Sequence, residues 1–208
     1  MIDVLDLGID PDYRYLAPEI DRLLPAESSY RAFVDDPTPP TLDGSEGVVL
    51  SGSTASVYDG EHADWVEPAT GIVERCLDEE IPLLGVCFGH QLVHDVLGGT
   101  VRKDRRRATF VDMEHDGSGV LAGVKGTVPV LHADRVVETG DGLTSTASTD
   151  YDRNFCSVHE DAPIWTVQFH PEFTERVVDR PSDWEGGRDF AKSNATLVLD
   201  NFADACSN

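Results

Sequence analysis

Hydrophobic residues recur in the first half of the chain as short apolar runs separated by stretches of helical period, which predicts a strand–helix alternation. Residues 2–7 are apolar but broken by acids, as in a first strand. Over residues 15–24, Tyr15, Leu16, Ile20, Leu23 and Leu24 return at spacings of three and four, with Glu19, Asp21 and Arg22 on the other side, which predicts a helix. Residues 30–34 read as a second strand, followed by the proline-rich connector Asp35-Asp-Pro-Thr-Pro-Pro40, whose prolines remove ladder donors. Gly47-Val-Val-Leu50 is a buried strand running into Ser51-Gly-Ser-Thr-Ala-Ser56, and residues 64–80 form a helix with Trp65, Ile72, Val73, Cys76 and Leu77 inward. A further apolar run at residues 82–86 precedes a helix over 92–97, closed by Gly98-Gly99. Beyond Thr100 the period shifts towards two, predicting short strands at 109–113, 128–131, 135–137 and 164–169, and residues 189–205 fit a closing helix. The expected fold is α/β: a mostly parallel, doubly wound sheet flanked by helices, flavodoxin-like, with a smaller antiparallel β element in the second half. A length of 208 residues suits one domain spanning 1–208.

Chemistry concentrates at Pro82-Leu-Leu-Gly-Val-Cys-Phe-Gly-His-Gln91. An apolar strand ending in Cys87 between Gly85 and Gly89 reads as a nucleophile elbow, in which glycines clear the sharp turn. A helix starting at His90-Gln91-Leu92 leaves its first N–H groups unpaired beside the sulfur, where they favour a thiolate and the oxyanion it creates. The thiolate requires a base, and the base an orienting partner. Gln168-Phe-His-Pro-Glu172 supplies both: in an extended segment His170 and Glu172 face the same way, so the carboxylate can hold the imidazole. Phe88 offers one oxyanion donor, and the loop of small residues at Ser51-Gly-Ser-Thr54 the second.

Composition narrows the partners. The net charge is −23, with 39 acidic against 16 basic residues, which disfavours nucleic acid or an anionic membrane. The acid is spread along the whole length beside 40% hydrophobic residues, so we expect solubility at high ionic strength and a salt-adapted protein. Cys76, Cys87, Cys156 and Cys206 form no CxxC pair and no metal-type spacing with histidine, so reduced thiols and no metal or cofactor are expected. Met1-Ile-Asp opens with no basic-then-apolar leader, and no run approaches the roughly 20 apolar residues of a membrane span, which together predict a cytoplasmic protein. Arg102-Lys-Asp-Arg-Arg-Arg107 stands out as a basic cluster, read either as a solvated hairpin flank or as a dock for an acidic partner or phosphorylated acceptor.

The elbow Gly-Val-Cys-Phe-Gly-His-Gln, the Ser-Gly loop before it and Gln-Phe-His-Pro-Glu near the end, in that order, resemble the class I (triad) glutamine amidotransferases. Within that family the chain is most similar to the glutaminase part of GMP synthase, through Leu50-Ser-Gly-Ser-Thr-Ala-Ser-Val-Tyr-Asp59 and His132-Ala-Asp-Arg-Val136. The resemblance implies hydrolysis of the glutamine side-chain amide through a thioester on Cys87, with His170 and Glu172 completing the triad. It implies an oxyanion hole from Gly52, Ser53 and Phe88, and glutamine held by Gln91, His132 and Asp134. No pyrophosphatase loop of the Ser-Gly-Gly-Xaa-Asp-Ser type occurs, so a separate ammonia-accepting synthetase subunit is implied. The chain departs from the family in carrying Ser53 where a second glycine is usual, Ala108-Thr109-Phe110 where Glu-Tyr-Gly is typical, and a long passage at 173–192. A γ-glutamyl hydrolase of the same architecture and a non-catalytic regulatory homologue are the competing readings.

Overall fold

The computed structural model describes residues 1–207 and places ten strands in two sheets. In chain order the elements are β1 (Ile2–Asp6), α1 (Leu16–Leu23), β2 (Ser28–Ala32), β3 (Gly47–Leu50), α2 (Ala63–Asp78), β4 (Leu83–Val86), α3 (Phe88–Val96), β5 (Thr100–Asp112), β6 (Glu114–His115), β7 (Thr127–Glu138), β8 (Leu143–Ser148), β9 (Cys156–His159), β10 (Ile164–Val167) and α4 (Leu197–Cys206). The large sheet has the order β2-β1-β3-β4-β10-β9-β8-β6. It is parallel from β2 to β10 and antiparallel beyond, while β5 and β7 form a separate antiparallel ribbon. The sequence pattern thus predicted the architecture correctly.

Strands buried on both faces explain the apolar runs. Val4 and Val49 point to a cluster that also holds Ile20 of α1 and Val198, Leu199 and Phe202 of α4. Their neighbours Leu5, Val48 and Leu50 point the other way, against Trp65, Ile72 and Val73 of α2 and Phe88 and Leu92 of α3. No helix among the described residues is long and apolar enough to cross a membrane.

Three sequence expectations need correction. The short strands at 109–113, 128–131 and 135–137 are parts of the two long strands β5 and β7, whose polar residues pair across the ribbon. β8 and β9 were not predicted, because Leu143-Thr-Ser-Thr-Ala-Ser148 buries only Leu143 and Ala147 and carries too little apolar signal. The closing helix starts at Leu197, not 189. Asn194 takes the Lys125 N–H at 2.6 Å and donates to the Gly123 carbonyl at 3.0 Å, pinning the link before α4 in a non-helical path. Phe190 consequently joins an aromatic group with Phe110, Phe173 and Trp184, away from α4.

Candidate active site

Cys87 sits between the end of β4 and the first residue of α3, at φ 52° and ψ −98°. The helix thus begins at Phe88, earlier than the sequence suggested, and Cys87 is its N-cap residue. A positive φ on a non-glycine residue costs of order 1–3 kcal/mol and persists only where its surroundings enforce it. Here the enforcement is visible: Cys87 N–H donates to the Val167 carbonyl at 2.8 Å and Gly89 N–H to the Ser51 carbonyl at 3.2 Å. Among the described residues the Phe88 N–H has no hydrogen-bond partner.

Both elbow glycines are required by space. A Cβ on Gly85 would stand 2.7 Å from the Gly89 carbonyl oxygen, and one on Gly89 2.4 Å from the Leu50 carbonyl oxygen. Gly89→Ala is therefore expected to destabilise the protein by about 3 kcal/mol, because the obstacle is backbone and cannot rotate away. That corresponds to a fall in Tm of roughly 6–12 °C for a chain of this size. Thermal unfolding followed by circular dichroism measures it, and an unchanged Tm would show that strand and helix separate without cost.

His170 lies just past β10, its N–H donating to the Pro129 carbonyl on β7 at 2.9 Å. Its Nδ1 meets Glu172 Oε1 at 2.7 Å. The segment is a turn, closed by the Phe173 N–H on the His170 carbonyl at 3.2 Å, so the juxtaposition arises from the turn and not from the extended backbone expected. Both side chains are fully buried. A Cβ on Gly52 would lie 2.9 Å from His170 Cε1 and 3.4 Å from Cys87 Cβ, so the loop after β3 closes directly over ring and thiol. His170 Nε2 has no aligned hydrogen bond by geometry, yet the Cys87 sulfur is close enough to raise the pKa of the ring. Long or poorly aligned contacts are common in unliganded sites and tighten with substrate bound.

The buried histidines separate by charge. Burial pushes His90 well down and His94 and His132 down to about 4. His90 rests on Thr166 Oγ1 at 2.8 Å and His94 on Ser157 Oγ at 3.1 Å, as neutral rings. Burial also opposes charge on His170, but the adjoining Glu172 carboxylate and Cys87 sulfur outweigh it and move its pKa upward. His170 alone of these rings has its charged form favoured, and it lies beside the sulfur.

A cavity of about 250 Å³ opens from Cys87 and is lined by Ser53, Gln91, His132 and Asp134 among others. The Gln91 amide nitrogen donates to the Asp134 carbonyl and to Gln168 Oε1, each at 3.1 Å. Because a main-chain carbonyl can only accept, this fixes which end of the Gln91 amide is nitrogen. Ser56 donates to the Asp134 carboxylate at 2.5 Å. Both His132 nitrogens are engaged, with the Asp134 carbonyl at 2.8 Å and the Tyr151 hydroxyl at 3.0 Å, so its ring braces the loop. Ser53 adopts no positive φ, so a side chain there adds no backbone strain. Tyr13, Ser56, Lys103 and Arg106 also line the cavity and were not anticipated as site residues. The basic cluster at 102–107 was the sequence signal for Lys103 and Arg106, and the small-residue loop at 51–56 that for Ser56; Tyr13 had none.

Residues 28–181 match the family described as glutamine amidotransferase class-I. The chain is 34% identical over 171 residues to a glutamine-hydrolyzing GMP synthase subunit of Methanopyrus kandleri, covering 78% of this chain and 76% of that protein. It is 30% identical over 173 residues to the glutamine-hydrolyzing GMP synthase of Leifsonia xyli, covering 73% of this chain and only 33% of that longer protein. Among solved structures, a putative GMP synthase subunit from Thermoplasma acidophilum superposes with a TM-score of 0.72 at 22% identity, over 99% of this chain and 93% of that one. A glutamine amidotransferase from Thermotoga maritima gives 0.73 at 20% identity, over 86% and 80%. The elbow, the buried imidazole–carboxylate pair and these matches lead to one assignment: the chain belongs to the class I glutamine amidotransferase family.

Proposed function

We propose that the chain, acting as one glutaminase unit, hydrolyses the side-chain amide of glutamine at Cys87 and supplies the ammonia to a synthase. The observation that carries this reading is the buried His170–Glu172 pair, in contact at 2.7 Å and set beside the thiol on the positive-φ elbow. The Cys87 thiolate attacks the amide carbon, and the resulting oxyanion is received by the N–H groups of Phe88 and Ser53, beside Gly52. His170 gives its proton to the nitrogen as the C–N bond breaks, releasing ammonia and leaving a glutamyl thioester. A water molecule, losing its proton to His170, then cleaves the thioester to glutamate and free thiol. Glu172 keeps the ring oriented and stabilises its charge throughout. Gln91 and Asp134 hold the amino-acid end, and His132 supports them by fixing the loop.

Similarity to a glutamine-hydrolyzing GMP synthase subunit favours a separate synthetase as the ammonia acceptor and a place in purine nucleotide formation. The acidic surface is read as adaptation to salt. Ammonia release from glutamine, measured alone and with an added GMP synthetase, and compared with cleavage of γ-glutamyl peptides, tests the assignment. We expect release that rises with the synthetase and little peptide cleavage. Preferential peptide cleavage would assign a γ-glutamyl hydrolase, and activity on neither substrate a regulatory homologue.

A further inference from the structure

We infer that Arg106 is a specificity-determining residue that binds the α-carboxylate of the amino-acid amide whose side chain reaches Cys87, an inference that rests on the glutaminase reading of this site. The argument starts with strand register. On the β5–β7 ribbon Lys103 pairs with Asp134, but the next pair is Arg107 with His132. β5 therefore takes four steps where β7 takes two, and residues 104–106 bulge from the ladder. Bulges re-aim side chains and are frequent beside functional sites.

Here the bulge divides the basic cluster. Arg107 turns back to Asp104 at 3.0 Å and lies over the Tyr151 ring. Arg106 instead lines the cavity shared with Cys87 and Gln91, and also a small adjoining cavity that reaches His170. Its guanidinium is held in place, with Nε on Asp183 Oδ2 at 2.8 Å and Nη2 against the Tyr13 hydroxyl at 3.1 Å. Among the described residues Nη1 has no partner. A fixed guanidinium with a free N–H edge suits a carboxylate, and the prior anchoring reduces the ordering cost on binding. The same cavity carries the Asp134 carboxylate. Cation and anion facing one space match the zwitterionic end of an α-amino acid, with its ammonium toward Asp134 and its carboxylate toward Arg106. The passage at 173–192 contributes Asp183 as the anchor.

Calorimetric binding of glutamine and of glutamine α-amide to the Cys87→Ala protein tests this without turnover. With Arg106 present, glutamine is expected to bind roughly 10- to 100-fold more tightly than its α-amide, the range of a charge-assisted hydrogen bond. Adding Arg106→Gln should abolish that preference by weakening glutamine alone, whereas Arg106→Lys should keep much of it. Equal weakening of both ligands by Arg106→Gln, or a preference that survives it, would overturn the assignment and leave Arg106 as a tie to Asp183. Thermal unfolding of each variant checks that the fold is intact. Absence of ammonia release by the protein with Cys87 intact counts against the glutaminase reading and does not alter this binding comparison.

Discussion

Cys87→Ala is expected to reduce kcat for glutamine hydrolysis by on the order of 10⁴ or more while leaving the fold unchanged. No other thiol can take over. Burial pushes Cys76 and Cys206 up to about 12 and Cys156 well above the usual thiol range, so all three stay protonated at neutral pH. The substitution leaves the backbone its reasons for adopting φ 52°, because the Val167 and Ser51 carbonyl contacts and both glycines remain. It removes a single sulfur at the wall of an existing cavity, so stability should change by less than about 1 kcal/mol. Ammonia release from the purified variant, alongside its Tm, gives both readouts. Release at the wild-type rate would place the nucleophile elsewhere, and a large fall in Tm would make the loss structural.

Much of this site was legible in the sequence because its parts are local. The elbow needs Gly85 and Gly89 at fixed distances from Cys87, and a contact of 2.4 Å from the Gly89 position to a carbonyl shows why no other residue fits. His170 and Glu172 lie close enough in sequence to meet in almost any compact backbone, which is why their pairing was anticipated although the turn that creates it was not. What the sequence concealed depends on register between distant segments. The two extra residues of β5 that carry Arg106 to the cavity exist only relative to β7, and the groups that hold Arg106 there, Tyr13 and Asp183, come from opposite ends of the chain. Glu19 illustrates the same limit within a helix: its place in the pattern put it outward, but Arg22 and Arg176 bind its carboxylate and it is buried.

Glu172→Gln tests the other half of the proposed chemistry, since it keeps the size of the side chain and removes its charge. Glu172 contributes to His170 in two ways, by accepting from Nδ1 at 2.7 Å and by its negative charge in a site with no exposure to water. The first can survive as a neutral hydrogen bond; the second cannot. Because that charge raises the pKa of His170, its loss lowers it. A less basic imidazole is a weaker proton acceptor for the attacking thiol, so kcat falls, by roughly 10²–10⁴ as in other nucleophile–histidine–acid sites. The imidazolium that must protonate the departing nitrogen also becomes easier to deprotonate. The alkaline limb of the kcat/KM profile is therefore expected to move to lower pH in the variant, while KM for glutamine stays nearly constant, since Glu172 does not line the cavity. A residue that only fills space would lower activity without moving that limb. If the profile of Glu172→Gln keeps its wild-type shape, the carboxylate is not setting the protonation of His170, and the ion pair at the base of this mechanism is wrong.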